Sequence, residues 1–185
     1  MQTKTRKRVS KNDWLAQALE VLSTEGVQGI RIERLARNLK ISKSGFYWHF
    51  RDRRELLSQV LDYWAYEFTE VVIHYQELLN ADAESRLEQI SSMIRNHNLT
   101  KFDLSIRAWA EHDEMAAETV AQVDQDRLGF LRETFRELGF EGDELEMRTL
   151  LFVCYHSWEM SMFGSESEPK LARLQKLRIK MLTKK

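Results

Sequence analysis

The sequence predicts an all-α fold, and three observations predict it. Its 185 residues hold only one Pro and seven Gly, which argues for long helices and against the many turns of an all-β fold. Hydrophobic residues make up 43% and charged residues 31%, the balance of a chain that folds around a core. Apolar residues recur at i, i+3, i+4 and i+7 along most of the length, the spacing that lays one face of a helix against a core.

The elements follow in order. The opening stretch MQTKTRKRVS is polar and basic and is expected to be mobile. Ser10-x-x-Asp13 resembles a capping box, with Asp in place of the usual Glu, and starts a first helix carrying Trp14, Leu15, Ala18, Leu19 and Leu22. Gly26 and Gly29 close it. A second helix of about two turns has Ile32, Leu35, Ala36 and Leu39 on one face. Ser42 can cap a third, in which Phe46 and Phe50 share a face at i, i+4. A fourth is expected as one rod from Arg53 to Leu79, with the stripe Leu57, Val60, Leu61, Trp64, Phe68, Val71, Tyr75 and Leu78. Asn80-Ala81-Asp82 ends it. Further helices are expected over about 83–97, 100–112, 114–138, 143–163 and 169–183. Gly139 and Gly142 break the chain before the eighth, which is apolar nearly all round from Leu150 to Tyr155, and Pro169 can start the ninth.

The net charge of −1 hides a segregation. Residues 1–54 balance to +8, residues 55–169 to −16 and residues 170–185 to +7. A basic head on an acidic body suggests that the head alone meets a polyanion. The stretch ISKSGFYWHF, Ile41 to Phe50, sharpens that reading. Phe46 and Phe50, with Leu35, Leu39 and Ile41, would bury the inner face of the third helix. Lys43, Ser44 and Gly45 lie at its N-terminal end, and Tyr47 and Trp48 point away from the core. Three short helices with a tight turn between the last two form a helix-turn-helix candidate. Such a motif reads base edges through N-terminal residues of its last helix and holds phosphates through polar groups around them.

Other chemistry is poorly represented. The N-terminus lacks the apolar stretch of a signal peptide, and Leu150–Tyr155 is too short to span a bilayer, so cytoplasmic residence is the expectation. The lone cysteine, Cys154, excludes an intramolecular disulfide framework and is expected to be a buried structural thiol. The five histidines show no HExxH spacing, and the Gly-rich phosphate loop and the G-x-S-x-G elbow are both missing. No catalytic residue, no metal site and no cofactor is expected, and the chain is not read as an enzyme.

The residues Gly26…Gly29…Leu35-Ala36…Leu39-x-Ile41-Ser42-x-x-Gly45-Phe46-Tyr47-x-His49-Phe50-x-Asp52-Arg53-x-x-Leu56 closely resemble the DNA-binding head of the tetracycline-repressor (TetR) family. The resemblance covers roughly residues 10–57. Beyond it the body agrees only in length and helix count. It implies an all-α protein of about nine helices, with a helix-turn-helix domain over residues 1–52 and a ligand-binding and dimerisation domain over 53–185. Tyr47 and Arg53 match positions that bind backbone phosphate, and His49 one close to it. Lys43, Ser44, Gly45 and Trp48 match recognition-helix positions. Arg31 stands where many members have a capping Thr and can still reach a phosphate. Glu33 stands where some relatives carry a base-reading Arg; its carboxylate can accept from cytosine N4 or face solvent. Lys40 replaces the usual turn glycine, which implies strain if its φ is positive.

In the body, Met93, His97, Phe102, Arg107, Trp109, His112, Tyr155 and Trp158 fit, as a group, an apolar pocket with a few polar groups. The expected protein is a homodimeric repressor paired through its eighth and ninth helices. It binds double-stranded DNA at a palindromic operator, takes an unidentified small-molecule effector and has no membrane partner. Two alternatives stand beside it: a constitutive DNA-binding regulator without ligand, and a helical protein–protein module whose basic head meets an acidic partner.

Overall fold

The computed structural model describes residues 9–164 and 166–184, and among them the regular structure is helical throughout. Most of the opening basic stretch lies outside the described residues.

Helix α1, Lys11–Glu25, begins at the predicted capping box. Ser10 Oγ accepts from the Asp13 N–H at 3.2 Å, and the Asp13 carboxylate accepts from the Ser10 N–H at 2.7 Å. The helix ends at Gly26, whose φ of 69° suits a residue without Cβ. Helix α2, Ile32–Asn38, starts at Arg31 with no side-chain cap. It exits through Lys40 at φ 56°, with the Ile41 N–H reaching back to the Ala36 carbonyl at 3.0 Å. This is a Schellman-type end with lysine where glycine is usual, and it costs about 1–2 kcal/mol.

The third helix is a correction. Lys43–Trp48 forms a 3₁₀ segment and not an α-helix. Ser42 Oγ bonds Ser44 Oγ at 2.7 Å and leaves the first N–H groups uncapped. Glycine and three aromatics add little α propensity. The Gly45 N–H accordingly donates to the Ser42 carbonyl three residues back.

The predicted rod from Arg53 to Leu79 is also corrected. Helix α3, Arg53–Ala65, is capped by Asp52 and passes into a π-helical turn, Tyr66–Glu70, then into one α-turn, α4, Val71–Ile73. The chain bends at His74 and Tyr75 before α5, Gln76–Asn80. Two features favour this. The β-branched run Val71-Val72-Ile73 is a poor helix former. Arg127 also draws on the π-turn, donating to Thr69 Oγ1 at 2.9 Å and to the Phe68 carbonyl at 3.3 Å.

The remaining helices run close to their expected bounds: α6 Ala83–Asn96, α7 Asp103–Ala110, α8 Glu114–Glu137, α9 Gly142–Phe163 and α10 Glu168–Thr183, with Pro169 in its first turn. Asp82 and Asp113 cap α6 and α8. One core gathers Trp14, Leu35, Phe46, Phe50, Leu56 and Trp64 with Phe102, Ile106 and Trp109 of the α7 region and Ala116, Val120 and Val123 of α8. A second joins Leu87, Ile90, Leu131, Phe135, Phe152 and Ile179.

A buried polar layer lies between α6, α9 and α10. His156 Nδ1 sits 2.7 Å from the Phe152 carbonyl, and Nε2 sits 3.0 Å from both Ser91 Oγ and Arg178 Nη2. Guanidinium only donates, so Nε2 accepts and the proton is on Nδ1.

Helix α9 is not buried all round, as its apolar run suggested. Phe152 and His156 face inward, while Leu151, Cys154 and Trp158 face out beside Leu174, Leu177 and Met181 of α10. Cys154 is therefore exposed in the single chain and not the buried thiol expected. Among the described residues, no helix is long and apolar enough to cross a membrane.

Candidate nucleic-acid interface and body cavity

The head is built around two rings. Phe46 and Phe50 are buried with centroids 5.1 Å apart, and Trp14 meets Phe46 edge-on at 5.4 Å. Anchoring these rings turns the other side of the 3₁₀ segment outward. Tyr47 is 56% exposed and Trp48 82% exposed, and Lys43, Ser44 and Arg31 are exposed with them. Gly45 and His49 are half-buried at its edge, and a Cβ on Gly45 would stand 3.3 Å from Ile41 Cδ1. Seven of the eight predicted contact residues thus lie on or beside one short segment and the start of α2.

Arg53 is placed differently. Its guanidinium is half-buried and donates to the carbonyls of Ile30 and Val27, both at 2.7 Å. It fastens the start of α3 to the turn before α2. Glu33 does not face solvent alone: its carboxylate pairs with the Lys43 ammonium. That bond is the main reason the Glu33 carboxyl is held below its usual value and Lys43 above its own.

In the body, a partly open apolar cavity of about 80 Å³ is lined by the π-turn and α4 (Phe68, Thr69, Val72, Ile73), α6 (Ile90, Ile94), α8 (Arg127, Phe130, Leu131) and α9 (Phe152, Val153, Ser157), with Leu99 and Thr100. Among the described residues, Arg127 is the one ionisable group in this wall. It pairs with the buried Asp103 at 2.6 Å, and Asp103 also accepts from Trp64 Nε1 at 3.1 Å.

None of the eight residues predicted as a pocket lines this cavity, although Trp109 and His112 line a wider open cleft of about 570 Å³ together with Leu22, Arg53 and Leu57. Phe102 and Trp109 are packed into the first core, and Met93 packs beside the second. His97 and His112 are exposed. Arg107 pairs with Asp124 at 2.5 Å. Tyr155 and Trp158 point to the outer side of α9, where Arg178 stacks 3.7 Å above the Tyr155 ring. The reason is helical phase: each residue step turns by about 100°, so Phe152, Val153 and Ser157 face the cavity and their neighbours do not. The cavity residues sat within stripes read as ordinary core. Arg127, a cation inside an apolar repeat, was the available signal.

Residues 15–60 match the family model of the bacterial regulatory proteins of the tetR family. Tetracycline repressor protein class E of Escherichia coli is 36% identical over 53 residues, which cover 29% of this chain and 25% of that relative; the match thus spans a quarter of the relative's length. The transcriptional regulator FadR from Bacillus subtilis, solved with stearoyl-CoA, superposes with a TM-score of 0.70 at 15% identity over 95% of this chain and 98% of its own. AibR, solved with isovaleryl coenzyme A and operator DNA, does so at 0.68 and 16% identity over 94% and 97%. At these identities the structural likeness is one of fold, and the family-model match lies in the head. The N-terminal domain is thus similar to that of the tetR family of bacterial regulatory proteins.

Proposed function

We propose that the protein is a DNA-binding transcriptional regulator, a repressor released by a small effector and acting in the cytoplasm. Residues 1–52 meet duplex DNA through Arg31, Lys43, Ser44, Gly45, Tyr47, Trp48 and His49, with Arg53 holding the head in place and near phosphate. Residues 53–185 receive the effector and dimerise. The observation that carries this reading is the recognition segment itself. Trp48 and Tyr47 are large rings left in solvent beside a lysine, on a turn whose other two rings are fully anchored.

The effector is one with an apolar tail. The cavity wall is hydrocarbon except for Thr69, Thr100, Ser157 and Arg127, and the arginine is neutralised by Asp103. FadR and AibR are solved with acyl-CoA molecules, which supports an acyl chain as the apolar part. Ligand pockets are typically about 300–1,000 Å³. A space of about 80 Å³ therefore admits such a molecule only if the π-turn or α6 moves aside, which would link occupancy to the head.

Titration of duplex DNA followed by fluorescence anisotropy tests the reading. Salt-dependent binding with a preference for a palindrome is expected. Tyr47→Phe should weaken every duplex alike, by about tenfold, because a phosphate contact carries no sequence. Trp48→Ala should change the preferred site. Long-chain acyl-CoA should lower affinity for the preferred duplex. Absence of duplex binding at low salt overturns the proposal, and indifference to acyl-CoA removes the effector class.

The outer face of α9 and α10 supports a homodimer. Leu151, Trp158, Leu174, Leu177 and Met181 are more apolar surface than a lone chain leaves bare without a partner. Sedimentation at micromolar concentration should give a dimer, and Leu174→Glu with Leu177→Glu should give a monomer that loses the palindrome. A wild-type monomer would contradict this.

A further inference from the structure

We propose that Glu33 and Lys43 act as one composite reader of a single G·C base pair, Lys43 donating to guanine N7 and O6 while Glu33 accepts from cytosine N4. The proposal rests on the DNA-binding reading above and deepens it.

Glu33 lies in the first turn of α2 and Lys43 opens the recognition segment, ten residues further on. Their side chains are both largely exposed and are bonded to each other. Among the other described ion pairs of head residues, Arg34 with Glu25, Arg51 with Glu55 and Lys101 with Glu20, none includes a residue of the recognition segment. An exposed pair of this kind contributes little to folding, so its place on the proposed DNA-facing surface calls for another account.

The chemistry of the groove supplies one. Across the major groove a G·C pair presents two acceptors, guanine N7 and O6, followed by one donor, the cytosine amino group. An ammonium held beside a carboxylate presents a donor followed by an acceptor. The two patterns match in order, and the ion pair need not break to make them. An A·T pair sets its donor between two acceptors, and thymine brings a methyl group and a carbonyl where the carboxylate would sit. The fixed direction of the head on DNA would then separate G·C from C·G.

Charge points the same way. Non-specific affinity comes from cations that neutralise phosphates. A lysine paired with a glutamate adds no net charge, so the pair contributes little to binding at random sequence. It contributes when the base edges fit. Glu33 also faces Arg31 nearby, which favours its ionised form. Both groups thus keep their charges, and the pair is set to discriminate more than to attract.

The test is selection of bound duplexes from a random pool with wild type, Glu33→Ala, Lys43→Ala and the double variant, on the full chain. Wild type should return a G·C pair at one fixed position in each half-site. Each single variant should relax that same position, with discrimination there falling about tenfold or more. The double variant should relax it no further than either single one. On a duplex lacking the selected site, Glu33→Ala should bind more tightly than wild type and Lys43→Ala more weakly. Thermal melts of the variants should match wild type, since both side chains are exposed. The inference is overturned if Glu33→Ala leaves the preferred site unchanged, or alters a base pair that Lys43→Ala does not. If wild type selects no duplex at all, the DNA-binding reading fails and takes this one with it.

Discussion

Replacing Asp103 by alanine is expected to remove about 3–5 kcal/mol of folding stability, because it strands a buried cation. Asp103 is almost wholly buried, and its carboxylate is the acceptor for Arg127 and for the Trp64 indole N–H. Arg127 is mostly buried as well and sits 5.6 Å from the Trp64 ring centroid. With the carboxylate gone, the guanidinium keeps only Thr69 and the Phe68 carbonyl, both neutral. Chemical denaturation should show the loss as a lower midpoint at unchanged slope. The double variant Asp103→Leu, Arg127→Met should recover most of it, since neither charge is then buried. A single variant as stable as wild type would mean that the pair contributes nothing to this junction of α3, α7 and α8.

Acid is expected to weaken the fold through His156. Burial, and then the charge of Arg178, push its pKa from 6.5 down to about 3. The folded chain therefore holds His156 neutral in a range where the unfolded chain protonates it. Above pH 6.5 neither state binds the proton and the stability is intact. As pH falls from 6.5 toward 3, the unfolded state takes up a proton that the folded state refuses. Stability is then lost at up to about 1.4 kcal/mol per pH unit from this one residue. The charged groups around the ring do not offset it: Arg178 and Arg95 repel an imidazolium, and the Glu159 carboxylate is engaged elsewhere, accepting from the Tyr155 hydroxyl at 3.3 Å and lying 3.9 Å from Arg178 Nη1. His156→Gln should be less stable at pH 7, because Phe152 and Ser91 lose part of their bonding, yet flatter between pH 6.5 and 4. Parallel pH profiles for the two proteins would show that His156 does not titrate on unfolding.

The parts of this structure legible in the sequence are those written in local chemistry. Ser10 with Asp13, Gly26 and Pro169 mark helix ends by their own donors, acceptors and torsions, and the helices begin or end there. Phe46 and Phe50 do share the inner side, although the segment is 3₁₀ and not α, because the chain after Trp48 turns so that the Phe50 N–H reaches the Phe46 carbonyl at 3.1 Å. What failed was counting through an irregularity. A π-helical turn holds one residue more than an α-turn, so the stripe counted from Leu57 arrives out of phase beyond Glu70. Val71, assigned to the core, is 42% exposed, and Val72 lines the cavity instead. In the regular helix α9 no slip occurs; Tyr155 and Trp158 simply lie on a different face from Phe152, Val153 and Ser157, which line the cavity. Partners distant in sequence were equally hidden. Nothing in the neighbourhood of Glu33 shows that its carboxylate meets Lys43, nor near Arg53 that its guanidinium meets Val27 and Ile30.

That last bond fixes a mechanical ratio. Arg53 fastens the head to the beginning of α3, and from there the backbone stays helical, through the π-turn, as far as Ile73. At 1.5 Å per residue this arm is roughly 30 Å long, so each degree of tilt at its cavity end carries the head through about 0.5 Å. A displacement of a few degrees, smaller than the clearance an acyl chain would need, therefore moves Tyr47 and Trp48 by more than the tolerance of a hydrogen bond. If the proposed effector displaces Phe68 and Val72, the length of the helix that carries them would by itself enlarge the movement at the head.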